Sequence, residues 1–379
     1  MKLLHTSDWH LGMLINGVDI SEDQRFFISR IREIVREEKI DAVLIAGDVF
    51  DRANVSGDAI KLYDDAVTGL CAEEGVPTVI IAGNHDGAER LAQCSRLLAG
   101  SGLHIAGSLQ RPVQKVVFDD TDIYLLPWAD TTKVRYLFPE KAAEITGAES
   151  AYGVICDSIR ESMDRTKRNI LVSHAFIVDA ETSVSDRAAE IGFASAVSVG
   201  VFEGFDYVAL GHIHKPQDIT ETIRYSGTPM PYSFGKEENQ EKSVTIIDTA
   251  DMSQQIIPLP LLHERNTLRG ELDELLQGDV SETIKNGFVR IELTDRFLGT
   301  ETMMALRQVY PNILEGRGLT YDEGTAKATL TAEDLKRLGS DPAAIFRSFC
   351  ADVIGTEPDE KQVGIFMKAF ENEGEEGLQ

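Results

Sequence analysis

Five short polar segments of this 379-residue chain each follow a run of apolar residues. They are Asp8-Trp9-His10, Gly47 to Asp51, Gly83-Asn84-His85-Asp86, His174, and Gly211-His212-Ile213-His214. Five of the eight histidines lie in these segments. Ligand-binding groups of α/β sheets lie beyond the carboxyl ends of the strands. We therefore expect these side chains to meet at one edge of a sheet structure.

The residue types in these segments are those that bind divalent metals. Asp8 and His10 are two positions apart, as are His212 and His214, and residues spaced by two on an extended backbone point to one side. Carboxylate, amide oxygen and imidazole form a mixed oxygen and nitrogen shell, which suits manganese, iron or zinc better than magnesium. Two such ions can clamp the attacking and leaving oxygens of a phosphoryl displacement. The pattern predicts a two-metal hydrolytic site.

Simpler interpretations exist for each segment taken alone. An Asp-x-His pair at a strand end is commonly a turn or a cap, and only the five segments together favour a metal site. His5 lies inside a predicted strand, and His104 and His263 have no companion ligands. The acidic run 119–122 is interpreted as a hairpin turn. These residues are not predicted to bind metal.

The elements that must position the segments follow from apolar periodicity. In the first hundred residues we predict strands at 2–6, 42–46 and 76–82, with helices at 21–39, 58–74 and 88–99. Ser21 and Gln24 are placed as a capping box for the first of these helices. Beyond them we predict a hairpin of 113–118 with 123–127, a helix at 151–167, and strands at 169–173, 206–210, 243–248 and 254–259. Two sheets with helices outside fit this α/β mixture better than one parallel sheet.

The remainder of the chain has a different arrangement of predicted elements. We predict a catalytic domain over 1–262, a linker over 263–284 with a short helix at 271–277, and a small β-α-β module over 285–330. Its strands are expected at 288–293 and 312–319, with a helix at 300–310. The segment 331–379 is predicted to be helical and ends in an acidic, solvated run.

The composition limits the classes of function. With 37 basic and 63 acidic residues the formal charge is −26, which argues against binding nucleic acid or an anionic membrane through the bulk surface. It does not exclude a local basic patch or bound cations. No apolar run approaches the ~18–20 residues of a membrane helix. The four cysteines form no C-x-x-C pair, so we expect reduced thiols and a cytoplasmic location.

The motifs D-x-H, G-D-x-x-D, G-N-H-D, a lone His and G-H-x-H occur here in the order that resembles the calcineurin-like metallophosphoesterase superfamily. The strings HTSDWHLG, AGDVFDR, AGNHD, ALGHIHKPQ and RYSGTPMPYSF are similar to the SbcD-type nuclease subunits within it. The motifs that carry the resemblance all lie within residues 1–260. It implies a four-layer αββα core with two manganese ions. The first ion would be held by Asp8, His10, Asp48 and His214, and the second by Asp48, Asn84, His174 and His212.

The same resemblance implies that the domain 1–262 is a nuclease domain, which hydrolyses a DNA phosphodiester. His85 has no metal to hold, so it is expected to steady the phosphate or protonate the leaving oxygen, with Asp86 orienting it. Asp51 departs from archaeal and eukaryotic relatives, which tend to carry histidine there. Arg52 is either a phosphate contact, as in the similar G-D-x-x-D-R of protein Ser/Thr phosphatases, or part of a surface ion pair. Those phosphatases carry G-N-H-E where this chain has Gly83 to Asp86.

The resemblance also implies partners. The helices after the second and third motifs would form a homodimer, although their apolar residues equally fit packing on their own sheet; these are Ile60, Tyr63, Val67, Leu91, Leu97 and Leu98. The module at 285–330 would guide DNA, and the helical tail would bind an SbcC-type coiled-coil ATPase or pack on its own domain. The expected activities are 3′–5′ double-strand exonuclease and single-strand or hairpin endonuclease in DNA repair and recombination. A phosphatase of small phosphoesters and a non-catalytic scaffold remain alternatives.

Overall fold

The computed structural model describes residues 1–178, 180–182, 196–238, 240–318, 343, 346–347 and 358–367. The chain divides into two compact units. The first unit is Met1–Thr267 with Val280–Arg290, and the second is Leu268–Asp279 with Ile291–Gln379. None of the helices within the described ranges is long and apolar enough to cross a membrane.

Sixteen strands and seven helices of the described residues lie in the first unit. The strands are β1 (Lys2–Thr6), β2 (Leu14–Ile15), β3 (Val18–Asp19), β4 (Ala42–Ala46), β5 (Thr78–Ile81), β6 (Leu103–Ala106), β7 (Lys115–Val117), β8 (Thr121–Leu126), β9 (Arg168–His174), β10 (Phe176–Ile177), β11 (Ala196–Val197), β12 (Tyr207–Gly211), β13 (Gln217–Asp218), β14 (Ile223–Tyr225), β15 (Ser243–Asp248) and β16 (Ser253–Pro258). The helices of both units are α1 (Ser21–Glu38), α2 (Gly57–Thr68), α3 (Ala88–Leu91), α4 (Ser95–Leu98), α5 (Thr131–Leu137), α6 (Ala148–Ser162), α7 (Leu272–Gln277), α8 (Glu282–Asn286) and α9 (Thr300–Val309). Of these, α7 and α9 belong to the second unit.

Two six-stranded sheets form the centre of the first unit. The first sheet has the order β16-β15-β1-β4-β5-β6, and the second has the order β13-β14-β12-β9-β8-β7. Strands β1, β4, β5 and β6 are parallel, as are β8, β9, β12 and β14. The carboxyl ends of each parallel set therefore lie along one edge of their sheet.

The sheets pack face to face, and helices cover their outer faces. Leu44 and Val79 of the first sheet share one buried cluster with Leu125 and Val172 of the second. The other face of the second sheet packs on α5 and α6 through a separate cluster. In the first sheet the alternate residues Leu4, Val43 and Ile45 are also fully buried, and α1 and α2 bury apolar faces of their own. The predicted four-layer αββα fold is confirmed.

The local differences from the predicted elements have physical causes. The predicted capping box is wrong, because Ile20 occupies the N-cap of α1 without a side-chain bond and the Gln24 amide donates to the carbonyl of His10 instead. The helix predicted at 88–99 is broken into α3 and α4 by Cys94, whose φ is +61°. The predicted helix at 58–74 continues past α2 as a π-helical turn, Gly69–Glu73. Strand β6 was not predicted.

The second unit contains most of a three-stranded sheet of order β17-β18-β19. Its strands are β17 (Arg265–Gly270), β18 (Phe288–Leu293) and β19 (Ile313–Arg317). The segment predicted as a linker also carries β17 and α8, neither of which was predicted. Within the unit, the hydroxyl of Tyr310 donates to the carbonyl of Leu275 at 2.9 Å, which ties the end of α9 to α7.

The apolar residues predicted for a dimer divide between two environments. Val67 and Leu91 are buried within their own unit, whereas Ile60 and Leu97 are 47% and 78% exposed. Of the tail residues, Phe346 stacks on Phe366 at 4.2 Å between ring centroids. The acidic run at the end of the chain lies outside the described residues. Cys71, Cys94 and Cys156 are free thiols, and Cys350 lies outside the described residues.

Candidate metal centre

The seven predicted ligands meet where the carboxyl ends of both sheets come together. Asp8 and His10 follow β1, Asp48 follows β4 and Asn84 follows β5. His174 ends β9, and His212 and His214 follow β12. We call these seven residues the metal centre. Its six carboxylate and imidazole side chains are at most 6% exposed, and Asn84 is half-buried.

The loops of the metal centre have an unusual backbone. The loop after β1 runs beside the loop after β4, with the amides of Asp8 and His10 donating to the carbonyls of Gly47 and Asp48 at 3.0 Å. Four ligands have left-handed backbone angles, with φ of +53° at Asp8, +43° at His10, +49° at Asp48 and +106° at His212. Such angles cost about 1–3 kcal/mol each in non-glycine residues and cluster at functional sites. The strain turns these side chains into the centre.

Glycine is required at two close approaches beside the centre. A Cβ at Gly83 would lie 2.1 Å from Oδ1 of Asp48, and a Cβ at Gly211 would lie 1.9 Å from the carbonyl oxygen of Ala46. Any larger residue would displace the ligand loops. Gly211 therefore lets the second sheet approach the first closely, and Gly83 leaves room for the Asp48 carboxylate.

We call the four residues predicted for the first ion, Asp8, His10, Asp48 and His214, the first metal group. The Nε2 atoms of His10 and His214 are 3.1 Å apart, and one donor atom each from Asp8, His10 and His214 lies within 4.8 Å of the others. The Asp8 carboxylate accepts the backbone amide of His212 at 3.0 and 3.1 Å and the Ser7 hydroxyl at 2.5 Å. These bonds fix Asp8 between the two sheets.

We call the four residues predicted for the second ion, Asp48, Asn84, His174 and His212, the second metal group. Oδ1 of Asn84 is 2.9 Å from Nε2 of His174 and 3.0 Å from Nδ1 of His212. Oδ2 of Asp48 is 3.3 Å from Nε2 of His174. The other ring nitrogen of His174 donates to the carbonyl of Ala46 at 2.8 Å. Its Nε2 is consequently the atom that faces the group.

The donor set fits divalent cations. Nε2 of His212 is a buried imidazole nitrogen with no hydrogen-bond partner among the described residues, which is costly unless the site has a further occupant. Two imidazole nitrogens 3.1 Å apart also suit a shared metal, which binds the lone pair of each. The residues therefore fit a pair of metal ions.

The electrostatics of the centre are those of buried, interacting charges. Burial opposes protonation of His174, but the adjacent Asp48 carboxylate outweighs it and raises the pKa of His174 to about 9. Asp48 is desolvated as well, yet His174 holds the pKa of its carboxyl well below the ordinary value. Burial, reinforced by the Asp48 charge, raises the pKa of Asp8 to about 7. Cations would stabilise the ionised carboxylates, and their binding must displace the His174 proton.

His85 lies beside the centre without belonging to either metal group. Its Nδ1 donates to the backbone carbonyl of Asp51 at 2.8 Å, and its Nε2 is 3.9 Å from Oδ2 of Asp48. Asp86 accepts the backbone amides of Gly83, Phe50 and Val49 at 2.9, 2.9 and 3.2 Å. These contacts make Asp86 a support of the Asp48 loop, and its predicted role in orienting His85 stays a prediction.

Arg52 and the three remaining histidines lie outside both metal groups. The Arg52 side chain is 73% exposed and its Nε is 3.0 Å from Oδ2 of Asp51, so the ion pair forms and the guanidinium still reaches solvent. His5 is buried between the sheets, with its ring nitrogens 3.1 Å from the Tyr207 hydroxyl and from the carbonyl of Leu210. His263 pairs with Asp23 at 3.0 Å. His104 lies on β6, outside both metal groups.

Four residues around the centre were not assigned a role at the site from the sequence. The Trp128 ring stacks on His212 with 5.4 Å between centroids and an interplanar angle of 26°. Tyr232 packs edge-on to His10 at 5.6 Å. Asp51 and Glu237 place carboxylates near His10 and His214. Asp51 and Tyr232 stand in the AGDVFDR and RYSGTPMPYSF strings, whereas no spacing signal marks Trp128 or Glu237.

Comparison with known proteins agrees with this fold and centre. A family model described as calcineurin-like phosphoesterase matches residues 1–216. The class of the protein is thus a metal-dependent phosphoesterase. A second model, described as type 5 capsule protein repressor C-terminal domain, matches residues 263–353.

Two relatives extend the comparison over nearly the whole chain. The SbcD subunit of the SbcCD nuclease of Staphylococcus epidermidis is 33% identical over 326 residues, which cover 85% of this chain and 86% of that protein. The corresponding SbcD subunit of Staphylococcus saprophyticus is 30% identical over 380 residues, covering 99% and 100%. The chain belongs to the SbcD family of the calcineurin-like phosphoesterases.

Solved structures with a similar chain path are more distant. A protein of Thermus thermophilus is 11% identical with a TM-score of 0.38, and covers 68% of this chain and 99% of its own. A dimetal phosphatase from Danio rerio is 14% identical with a TM-score of 0.40, and covers 65% and 91%. At these TM-scores the likeness carries no argument about function.

Proposed function

We propose that this chain is the manganese-dependent DNA nuclease subunit of an SbcC–SbcD complex. Its activities would be 3′–5′ double-strand exonuclease and single-strand or hairpin endonuclease in DNA repair and recombination, and the protein would be cytoplasmic. The observation that carries the proposal is the buried set of donor atoms around Asp48, with His174 at 3.3 Å from its Oδ2 and His85 at 3.9 Å. The relatives named as SbcD subunits of the SbcCD nuclease support the choice of DNA as substrate.

Two Mn²⁺ ions are the proposed cofactors. Asp8, His10 and His214 would hold the first, Asn84, His174 and His212 the second, and Asp48 would bridge them. Neutral imidazoles combined with carboxylate and amide oxygens suit manganese better than an all-oxygen magnesium shell. Bound here, divalent ions would offset phosphate charge and lower the pKa of a water nucleophile.

The residues of the chain itself would orient the phosphate and move a proton. His85 is proposed to act through Nε2, because its Nδ1 is committed to the carbonyl of Asp51. That nitrogen is positioned to donate a hydrogen bond to the phosphate or a proton to the leaving oxygen. Asp86 would keep the Asp48 loop in place through its three backbone amides. Arg52 is proposed as a phosphate contact, since its guanidinium is exposed and anchored at one nitrogen.

The charge of the chain limits how DNA is held. A formal charge of −26 gives the bulk surface no attraction for phosphates, so affinity would depend on the metals and on a partner. We propose that the SbcC-type ATPase binds the segment 331–379 and that the module 285–330 guides DNA. A homodimer through the exposed Ile60 and Leu97 is part of the same proposal.

A digestion assay tests the proposal. Chelator-treated protein, alone and with its ATPase partner, is incubated with end-labelled duplex and hairpin DNA with and without Mn²⁺. We expect metal-dependent shortening of the duplex from 3′ ends and opening of the hairpin. The Asp48→Asn variant, which removes the bridging carboxylate, should abolish both. Turnover of a small model phosphodiester without any DNA digestion would instead identify a small-substrate phosphoesterase.

A further inference from the structure

The two histidines of the first metal group each have a carboxylate near the ring nitrogen that faces away from the group. Oδ1 of Asp51 is 4.0 Å from Nδ1 of His10, and Oε1 of Glu237 is 3.8 Å from Nδ1 of His214. Both carboxylates are buried, at 5% and 0% exposure. In the second metal group, the corresponding partner of His174 is a neutral backbone carbonyl, that of Ala46.

A histidine that binds metal through one nitrogen usually donates the N–H of the other. The acceptor fixes the tautomer and the ring orientation, and a carboxylate acceptor also makes the ligand more basic. Since the Nε2 atoms of His10 and His214 face each other at 3.1 Å, their Nδ1 atoms are the ones that carry hydrogen when metal is bound. A ring shift of about 1 Å would bring each separation to hydrogen-bond length.

We propose that Asp51 and Glu237 are positioning residues of the first metal group, which accept the Nδ1–H of His10 and of His214. The inference rests on the proposed two-metal site and adds the residues that set its affinity. Both carboxylates are anchored at their second oxygen. Oδ2 of Asp51 pairs with Nε of Arg52 at 3.0 Å, and Oε2 of Glu237 accepts the amides of Tyr232 and Ser233 at 2.7 and 3.0 Å.

Asp51 offers the cleaner test, because its contacts with the two histidines use different parts of the residue. The carboxylate faces His10, while the backbone carbonyl accepts Nδ1–H of His85. A side-chain substitution therefore removes the partner of His10 and keeps that of His85. Asp51→Asn preserves the shape and removes the charge, and Asp51→Ala removes the acceptor.

The experiment is a calorimetric titration of the chelator-stripped full-length chain with Mn²⁺. For the wild type we expect two ions per chain. In Asp51→Ala one binding step should weaken by about 10- to 100-fold, the range found for outer partners of metal ligands, and the other should stay close to wild type. Asp51→Asn should show a smaller loss of the same step, and Glu237→Gln should weaken that step too. Asp65→Asn is the matched control, since it removes one exposed carboxylate and should change neither step.

The outcomes separate the two proposals. A wild-type chain that fails to bind two ions overturns the proposed metal function. Two ions in the wild type with unchanged affinities in both Asp51 variants overturn the positioning role alone. Three ions in the wild type and two in Asp51→Ala would make Asp51 a direct ligand, which also overturns it. Equal melting temperatures of the metal-free chains show that a lost affinity is not misfolding, and Asp51→Asn decides the question if Asp51→Ala does not fold.

Discussion

The imidazoles of His10 and His214 approach each other through their Nε2 atoms, 3.1 Å apart in the interior of the first unit. Burial, reinforced by the neighbouring His214 imidazole, lowers the pKa of His10 to about 3. Burial also holds the pKa of His214 well below its ordinary value. Both rings are therefore neutral near pH 7, and each can offer a lone pair at Nε2 when its hydrogen is on Nδ1. A cation is the occupant that such a pair attracts.

Metal should stabilise the folded chain measurably. Because the ligands are assembled only in the folded state, Mn²⁺ at about 100 times its dissociation constant should add about 2.7 kcal/mol per site. Differential scanning calorimetry of chelator-stripped protein, before and after Mn²⁺ addition, checks this as a rise in melting temperature. Asp48→Asn should reduce the rise strongly. A melting temperature indifferent to Mn²⁺ in the wild type would contradict the two-metal site.

Removing the His85 imidazole should affect chemistry and leave metal binding intact. We expect His85→Ala to lower kcat for DNA cleavage by about 10²- to 10⁴-fold, the contribution of a general acid, with two Mn²⁺ still bound. The measurement is single-turnover cleavage beside metal analysis of the same sample. His104→Ala, on β6 and outside both metal groups, is the control and should cleave normally. Full cleavage by metal-loaded His85→Ala would exclude the proposed role.

The absence of a side chain at Gly83 should be essential for metal binding. In Gly83→Ala the added Cβ would meet Oδ1 of Asp48 at 2.1 Å, so the Asp48 loop must shift. We expect loss of Mn²⁺ binding and a destabilisation of about 1–3 kcal/mol, the usual range for overpacking. Urea denaturation and Mn²⁺ titration measure the two effects. Gly57→Ala is the matched control because nothing lies within 4 Å of its added Cβ, and Mn²⁺ binding by Gly83→Ala at wild-type affinity would contradict the prediction.

His5 should make the metal-free protein sensitive to acid. Burial, together with the Arg224 charge, lowers its folded pKa from 6.5 to about 3. As pH falls below 6.5 the unfolded chain takes up a proton that the folded chain refuses, so stability is lost between pH 6.5 and 3. From this group the loss reaches about 2 kcal/mol by pH 5.

The variant His5→Gln isolates this contribution. Glutamine has no titratable group and offers a donor and an acceptor toward Tyr207 and Leu210. Between pH 7 and pH 5 the free energy of unfolding of the variant, measured with urea in the presence of chelator, should fall about 2 kcal/mol less than that of the wild type. Parallel pH dependences for the two proteins would show that His5 titrates normally in the fold.

The Trp128 ring should hold His212 in its ligating orientation. Stacked aromatic pairs contribute about 0.5–1.5 kcal/mol beyond burial, so Trp128→Ala should weaken one Mn²⁺ binding step by about 2- to 10-fold. Trp128→Phe, which keeps an aromatic face, should recover most of the affinity. Tyr136→Ala removes an aromatic ring that is 78% exposed and serves as the control. Unaltered titration curves for Trp128→Ala would assign the ring no part in metal binding.

The regular elements were predictable where the apolar pattern alone decides them. Strands β1, β4 and β18 begin and end at the predicted residues. Strand β4 is a short apolar run, and in β18 apolar residues alternate with the charged Arg290 and Glu292. The break at Cys94 was not predictable, since a left-handed angle at a non-glycine residue has no periodicity signal. The misplaced capping box has a related cause: Gln24 matches a local helix-start pattern, but its amide is used for the loop of His10.

The metal ligands were predictable because their types and their position after strands are both visible in the sequence. The groups that contact the outward-facing ring nitrogens of the histidine ligands were harder to predict. Glu237 lies more than twenty residues beyond His214 and meets it only through the fold. The partner of Nδ1 of His174 is a backbone carbonyl, that of Ala46, and any residue type supplies one. Sequence patterns reveal side-chain chemistry at regular positions, but they do not predict contacts that tertiary packing creates.

Both metal groups draw ligands from both sheets, and this has a consequence for how the enzyme is assembled. The first sheet supplies Asp8, His10, Asp48 and Asn84, and the second supplies His174, His212 and His214. A chain cleaved between β8 and β9 would yield two fragments, and neither fragment would contain all the ligands of either ion. Each ion would then hold the two sheets together by binding ligands from both. Cleavage activity regained on mixing such fragments would report the docking of the two halves.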